Sequence, residues 1–304
     1  MYDPPAFLNG RFLPASQLCI PVHDSGFVQG VTVAEQLRTF RGQLFCLEQH
    51  LERLARSLEI VGVDPGITRD EFAAAATRLA QEHHAHLSPE DDLGLSVFVT
   101  PGPYATFVPR GERRPTVAMH TYPLPFSLWA HKYAQGQSMV VSRFRQVPPD
   151  CWPAELKCRS RMHYYLADRE SEQMEPGARA LILDHQGLVS EASTANVIAY
   201  FTGQGLVSPP RDKILPGISI GVLQQLAEQL AIPFRFRDLT RQDLESADEL
   251  FLSSTSPCLL PVVRLDGRPI GAGRPGPLFT RLLQSWSALV QVDIAGQARH
   301  LADR

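Results

Sequence analysis

Asn196-Val197-Ile198-Ala199-Tyr200-Phe201, followed by Ile214-Leu215-Pro216-Gly217-Ile218-Ser219, decides the architecture of the second half of this chain. The first six residues are apolar and β-favouring and read as a strand. The Pro-Gly pair then opens a helix, because Val222, Leu223, Leu226 and Leu230 recur at three- and four-residue spacing and form one apolar stripe. The same alternation extends outward: strands are expected at 138–141, 179–183, 234–237 and 249–252, and helices near 158–172, 218–231 and 277–290. Strands alternating with helices point to an α/β domain.

The first half mixes the same elements differently. Asn9-Gly10 between Phe7-Leu8 and Phe12-Leu13 supplies the positive φ angles of a tight hairpin. From Leu47, the residues Leu51, Leu54, Leu58 and Val61 stripe one side of a helix, with Glu48, His50, Glu52, Arg53 and Arg56 on its other faces. Thr68 with Glu71 three residues on forms a capping box ahead of a second helix, and Leu93–Val99 and Val117–Met119 read as strands. Between them the Pro- and Arg-rich stretch 101–115 reads as a long surface loop. The prolines of Tyr122-Pro123-Leu124-Pro125 mark a boundary. The expected organisation is a smaller α+β domain over 1–120, a linker at 121–133 and a larger α/β domain over 134–304.

Composition narrows the function classes. The chain has 304 residues, 44% hydrophobic and 20% charged, enough for two ordinary cores. No run approaches the roughly 18 apolar residues of a membrane span, and Met1-Tyr2-Asp3-Pro4-Pro5 lacks the basic and apolar regions of a secretory signal. A cytoplasmic location without membrane partners is expected. A net charge of −3 gives no field to attract nucleic acid. The five cysteines have no C-x-x-C spacing, and His83, His84 and His86 have no matching ligand set, so no metal site is expected and these histidines read as solvated.

Several residues could carry chemistry. The first free amides of the helix after Gly217 belong to Ile218 and Ser219, a terminus suited to an anion. Gly217-Ile218-Ser219-Ile220-Gly221 also matches the G-x-S-x-G elbow of a serine hydrolase with Ser219 as nucleophile, but the elbow needs a strand directly before the serine and Pro209, Pro210 and Pro216 interrupt that stretch. Ser253-Ser254-Thr255-Ser256-Pro257 delivers hydroxyls at a strand end. Lys157, in a modestly apolar context, is either a solvated lysine or a desolvated Schiff-base amine. Glu191, among small residues, is either a cap or a partner for a cationic ring nitrogen.

Taken in order, these pieces resemble the class IV, or fold type IV, pyridoxal-phosphate enzymes: branched-chain aminotransferases, D-amino acid aminotransferases and aminodeoxychorismate lyases. The resemblance rests on Phe7-Leu8-Asn9-Gly10-Arg11-Phe12, Asp24-Ser25-Gly26 through Glu35-Gln36-Leu37-Arg38, Glu48–Leu54, Leu156-Lys157, Ser190–Asn196, Ile214–Ser219, Ala247–Leu252 and Ser254-Thr255. It implies a two-domain fold with the active site at the domain junction, the larger domain binding pyridoxal 5'-phosphate, and a homodimer. It implies that Lys157 forms the Schiff base and shuttles the proton, and that Glu191 faces the pyridine nitrogen. Arg53, the amides of Ile218 and Ser219, and Thr255 are implied to hold the phosphate.

The implied activity is amino transfer between an amino acid or amine and a 2-oxo acid; pyruvate elimination from aminodeoxychorismate is the alternative. Branched-chain aminotransferases carry a tyrosine five residues after the lysine, where this chain has Met162, the nearest hydroxyl being Tyr164. Substrate contacts are therefore sought among Arg38, Gln29, Ser256 and Arg161, with Arg110 and His163 as further candidates.

Overall fold

A computed structural model describes residues 2–108 and 114–303. Arg110 and the tip of the expected 101–115 loop lie outside the described residues. The chain divides into two compact units, Met1–Leu124 with Leu156–Ser160, and Pro125–Glu155 with Arg161–Arg304.

The first unit contains strands β1 (Pro5–Leu8), β2 (Arg11–Pro14), β3 (Val33–Phe40), β4 (Gln43–Leu44), β5 (Leu93–Thr100) and β6 (Thr116–Pro123), with helices α1 (Ser25–Val28), α2 (Leu47–Val61) and α3 (Arg69–His84). The strands form one antiparallel sheet in the order β2-β1-β6-β5-β3-β4. Asn9 and Gly10 turn the first hairpin with φ of 49° and 85°, setting Leu8 opposite Arg11. Thr68 and Glu71 form the expected reciprocal cap at the start of α3, worth about 1 kcal/mol.

On β3, Val33 and Leu37 join a core with Leu51, Leu54 and Leu58 of α2 and Phe72 and Leu79 of α3. Because side chains alternate along a strand, Glu35 must enter that same apolar layer. The first residues of β3 also have an open edge, since β4 pairs only with Thr39 and Phe40. Residues 157–159 fill it in extended form: the Ala34 amide donates to the Lys157 carbonyl at 3.0 Å and the Arg159 amide to the Thr32 carbonyl at 2.8 Å.

The second unit has strands β7 (Gln137–Arg145), β8 (Arg179–Leu183), β9 (Val189–Ala192), β10 (Asn196–Phe201), β11 (Gly205–Ser208), β12 (Phe234–Phe236), β13 (Glu249–Ser254), β14 (Cys258–Leu265) and β15 (Arg268–Pro269). Its helices are α4 (Lys132–Gln135), α5 (Met162–Met174), α6 (Ile218–Gln229), α7 (Arg241–Glu245), α8 (Pro277–Val290) and α9 (Ile294–His300). One mixed sheet runs β12-β11-β10-β13-β14-β7-β8-β9, with β15 added on β14. The pairs β14–β7, β7–β8 and β11–β12 are parallel and the others antiparallel. α6 and α8 pack on β13, and α5 packs on β7 and β8.

Several details differ from the sequence expectations, and β3, β9, β11, α7 and α9 are further elements that were not anticipated. The helix expected near 158–172 begins at Met162, because 157–159 are committed to the edge of β3; residues 156–160 thus belong to the first unit although they fall within the span assigned to the second domain. β6 continues to Pro123, so residues 121–123 are strand rather than linker. β14 was not anticipated, since Pro261 sits inside it, where proline argues against a strand. His83, expected in solvent, is buried with Nδ1 2.7 Å from Thr121 Oγ1. Among the described residues no helix is long and apolar enough to cross a membrane.

Candidate active site

In the second unit the site is organised by Glu191 on β9. The residue stands opposite Ile182 of β8 and is buried. Four neutral donors hold its carboxylate. Tyr164 Oη (2.9 Å) and Gln146 Nε2 (3.2 Å) donate to Oε2, while Asn196 Nδ2 (3.0 Å) and the Leu215 amide (2.8 Å) donate to Oε1. Burial pushes the Tyr164 phenol well above its ordinary value, and the neighbouring Glu191 charge adds to that, so the phenol remains a proton donor.

Asn196 ties the carboxylate to the start of α6, because its Nδ2 also donates to the Leu215 carbonyl at 3.0 Å. A Cβ on Gly217 would collide with Asn196 Oδ1, so glycine lets the helix begin this close. No side chain caps this helix, which leaves the Ile218 and Ser219 amides in its first turn without an intrahelical acceptor.

Asn196 lies in register with Ser253 near the end of β13, and the turn carrying Thr255 and Ser256 follows directly. Tyr133 Oη pins that turn by donating to the Pro257 carbonyl at 2.7 Å. Glu191, the α6 start and the 255–257 turn therefore gather around Asn196. Ser219 sits inside the first turn of a helix with no strand directly before it, β11 ending at Ser208. That is not the strand-turn-helix of a nucleophile elbow, and the hydrolase alternative falls with it.

In the first unit the site is organised by Glu35. Its carboxylate is fully buried and takes Arg53 side-on: Nε donates to Oε1 at 2.7 Å and Nη2 to Oε2 at 2.9 Å, while His50 Nδ1 lies 2.7 Å from Oε2. Burial alone would raise the Glu35 carboxyl; the Arg53 charge and hydrogen bonds, with His50 and the Lys157 charge, outweigh it and hold the carboxyl far below the usual range. Burial lowers His50 against the opposing pull of Glu35, leaving the imidazole neutral at neutral pH. Lys157 is buried too, and its amide donates to Ser57 Oγ, one turn along α2 from Arg53, at 3.2 Å.

Among the sequence candidates, Lys157 and Arg53 thus share one cluster, and Glu191, Ile218, Ser219, Thr255 and Ser256 share the other. Arg161 occupies the position before α5, without a side-chain cap, beside the exposed Met162. Gln29 is exposed at the end of α1. Arg38 is buried, its Nε donates to the Thr39 carbonyl, its guanidinium lies 3.7 Å from Asp92, and it stacks on Phe40.

Sequence reasoning missed Glu35, His50, Gln146, Tyr164 and Asn196 as a supporting layer, and it placed His50 and Arg53 on the polar faces of α2, whereas both are buried. The available signal was spacing: His50 and Arg53, three apart, share a helix face, and Glu35 interrupts an apolar strand face.

Comparison with known proteins gives the class. Residues 32–265 match the family model described as amino-transferase class IV. D-alanine aminotransferase of Bacillus licheniformis is 28% identical over 277 residues, covering 89% of this chain and 91% of the relative. That of Staphylococcus epidermidis is 27% identical over 286 residues, covering 94% and 97%.

Among solved structures, the branched-chain amino acid aminotransferase of Escherichia coli superposes with a TM-score of 0.86 at 24% identity, covering 95% of each chain. The T.th. branched-chain enzyme, solved with pyridoxamine 5'-phosphate, gives 0.84 at 21%, covering 98% and 96%. The chain belongs to the class IV aminotransferase family, with the fold type IV architecture, and it is an enzyme of the transaminase type.

Proposed function

We propose that the chain is a pyridoxal-phosphate-dependent aminotransferase that exchanges an amino group between an amino acid and a 2-oxo acid, with Lys157 as its Schiff-base lysine. The supporting observation is the donor set: a buried lysine, a buried carboxylate with both oxygens held, and an uncapped helix start, all in a chain of this family. That set fits the group part by part. The Lys157 amine suits its aldehyde and the Glu191 carboxylate its ring nitrogen. The amides of Ile218 and Ser219, the Thr255 hydroxyl and the Arg53 guanidinium suit its phosphate. When bound, the cofactor supplies an electron sink for the pair left behind when the substrate α-proton departs.

The chain's own groups do the rest. Lys157 Nζ would be the amine that holds the cofactor's aldehyde and, when freed, the base that would take up and return the substrate α-proton. Glu191 would hold a proton on the ring nitrogen of the bound group, and its four donors fix the direction of the carboxylate so that little reorganisation would be required as charge develops. Likeness to D-alanine aminotransferases over nearly the whole chain, with Met162 where branched-chain enzymes carry tyrosine, puts D-amino acids first among amino donors. The resemblance also favours a homodimer, which sedimentation would check.

The test is the visible spectrum of the protein with pyridoxal phosphate, followed through addition of single D-amino acids, L-amino acids and aminodeoxychorismate. A yellow chromophore that bleaches with a D-amino acid and returns with a 2-oxo acid is expected. Bleaching by L-amino acids alone would overturn the substrate assignment. Pyruvate release from aminodeoxychorismate without an acceptor would replace amino transfer by elimination.

A further inference from the structure

Two basic residues, Arg53 and Lys157, are each only 8% exposed in the first unit, and the fully buried Glu35 is ion-paired with Arg53 and feels the Lys157 charge. Burying like charges close together is costly unless an opposite charge is fixed between or beside them. Glu35 is placed for that by its strand: Val33 and Leu37 on either side hold its carboxylate in the helix-facing layer, where Arg53 and His50 converge on it from α2. Its neighbour Ala34 donates its amide to the Lys157 carbonyl, and Ser57 accepts the Lys157 amide, so backbone on both sides fixes where the lysine starts. A neutral glutamine would fill the same space but could not balance either cation.

We propose that Glu35 is a positioning residue that sets the protonation of Lys157: its carboxylate, locked by two hydrogen bonds from Arg53 and one with His50, is the fixed counter-charge against which the lysine gains and loses its proton. The inference rests on the reading of Lys157 as the Schiff-base lysine. The charged and titratable groups that act on one another in this cluster include Glu35 from β3, His50 and Arg53 from α2, and Lys157 itself. Glu35 carries the negative charge, Arg53 the opposing positive one, and His50 is neutral at working pH. Removing Glu35 therefore favours the free amine, and removing Arg53 favours the ammonium. Loss of packing alone would not move the lysine in opposite directions.

The chain has three lysines, Lys132, Lys157 and Lys213, so trace acetylation as a function of pH, read peptide by peptide, reports each one with the other two as internal controls. In the full-length protein freed of cofactor, Glu35→Gln is expected to lower the Lys157 midpoint by about one to two pH units. Arg53→Met is expected to raise it, and Glu35→Asp, which keeps the charge, to leave it within about half a unit. If Glu35→Gln does not fold, the sign of the Arg53→Met shift still decides.

Equal Lys157 midpoints in wild type and Glu35→Gln, or a downward shift in Arg53→Met, would overturn the proposal. Borohydride reduction of the pyridoxal-phosphate complex tests the underlying reading separately. Label on a peptide other than that of Lys157 removes the Schiff-base assignment whatever the midpoints are.

Discussion

Glu35 and Glu191 are both buried carboxylates, yet they are held in different ways. Glu35 is answered by a guanidinium and an imidazole from one helix, Glu191 by a phenol, two side-chain amides and a backbone amide drawn from four separate segments. The first arrangement locks a charge in place and keeps the carboxyl ionised far into acid. The second fixes direction with donors that carry no formal charge, which suits the task proposed for this carboxylate, meeting an incoming cation. One unit fixes charge and the other fixes geometry.

The largest effect is expected from removing the Lys157 amine, on which the proposed chemistry turns. Lys157→Ala should lose at least about three orders of magnitude in turnover, since neither its covalent nor its proton-transfer role can be taken by water; near-normal single-turnover rates would end the assignment. Glu191→Gln comes next. It removes the charge and also turns an amide NH2 toward one of the donor pairs, so turnover should fall about 100-fold while pyridoxal phosphate still binds. If the two proteins react at the same rate, Glu191 has no part in the ring-nitrogen chemistry.

The charge-locked half makes a prediction about acid. In the unfolded chain Glu35 takes up its proton near the ordinary carboxylate value of about 4.3, whereas the folded carboxyl resists protonation to much lower pH. Its contribution to stability is thus complete above the unfolded value and is lost as the pH falls toward the folded one. Urea unfolding at pH 7 and pH 3 should show wild type losing a little under about 2 kcal/mol more than Glu35→Gln over that interval. Parallel losses in the two proteins would mean that the Arg53 grip does not govern the ionisation.

Arg38 sharpens the contrast between a structural ion pair and a functional one. Arg38→Met should lower stability by about 3 kcal/mol by leaving Asp92 buried opposite an apolar side chain, with KM unchanged in the protein that remains folded. A raised KM with normal stability would return Arg38 to the substrate site.

Most of the frame was legible in the sequence because it depends on local signals. Asn9-Gly10 dictates its hairpin, the 3.6-residue stripes locate α2, α6 and α8, and the order of short motifs around Lys157, Glu191 and Gly217 identifies the family. What was not legible depends on long-range partners. Nothing local tells Lys157 and Cys158 to complete the edge of β3 rather than begin a helix, because the competing signal is an unpaired strand edge more than a hundred residues away. Arg38 and Arg53 are alike as letters. Asp92 draws one inward as a structural ion pair and Glu35 draws the other into the Lys157 cluster. Likewise β14 was hidden by Pro261, which tertiary pairing tolerates.

Tyr164→Phe gives the smallest expected effect and tests whether the neutral-donor half works by redundancy. The phenol is one of four donors to Glu191, and Gln146 Nε2 reaches the same oxygen, so its loss leaves Oε2 with a partner. A hydrogen bond to a charged group contributes about 1.5–3 kcal/mol when lost outright. With Gln146 able to close up, the effect should be nearer 1 kcal/mol, or roughly five-fold in turnover. Because the phenol is pushed upward and stays protonated, the alkaline limb of the rate profile should be the same in both proteins up to about pH 9.5. A hundred-fold loss would give Tyr164 a direct role with substrate or cofactor, whereas a shifted alkaline limb would show that the phenol titrates in the working range and that Glu191 is held less by fixed dipoles than its four donors imply.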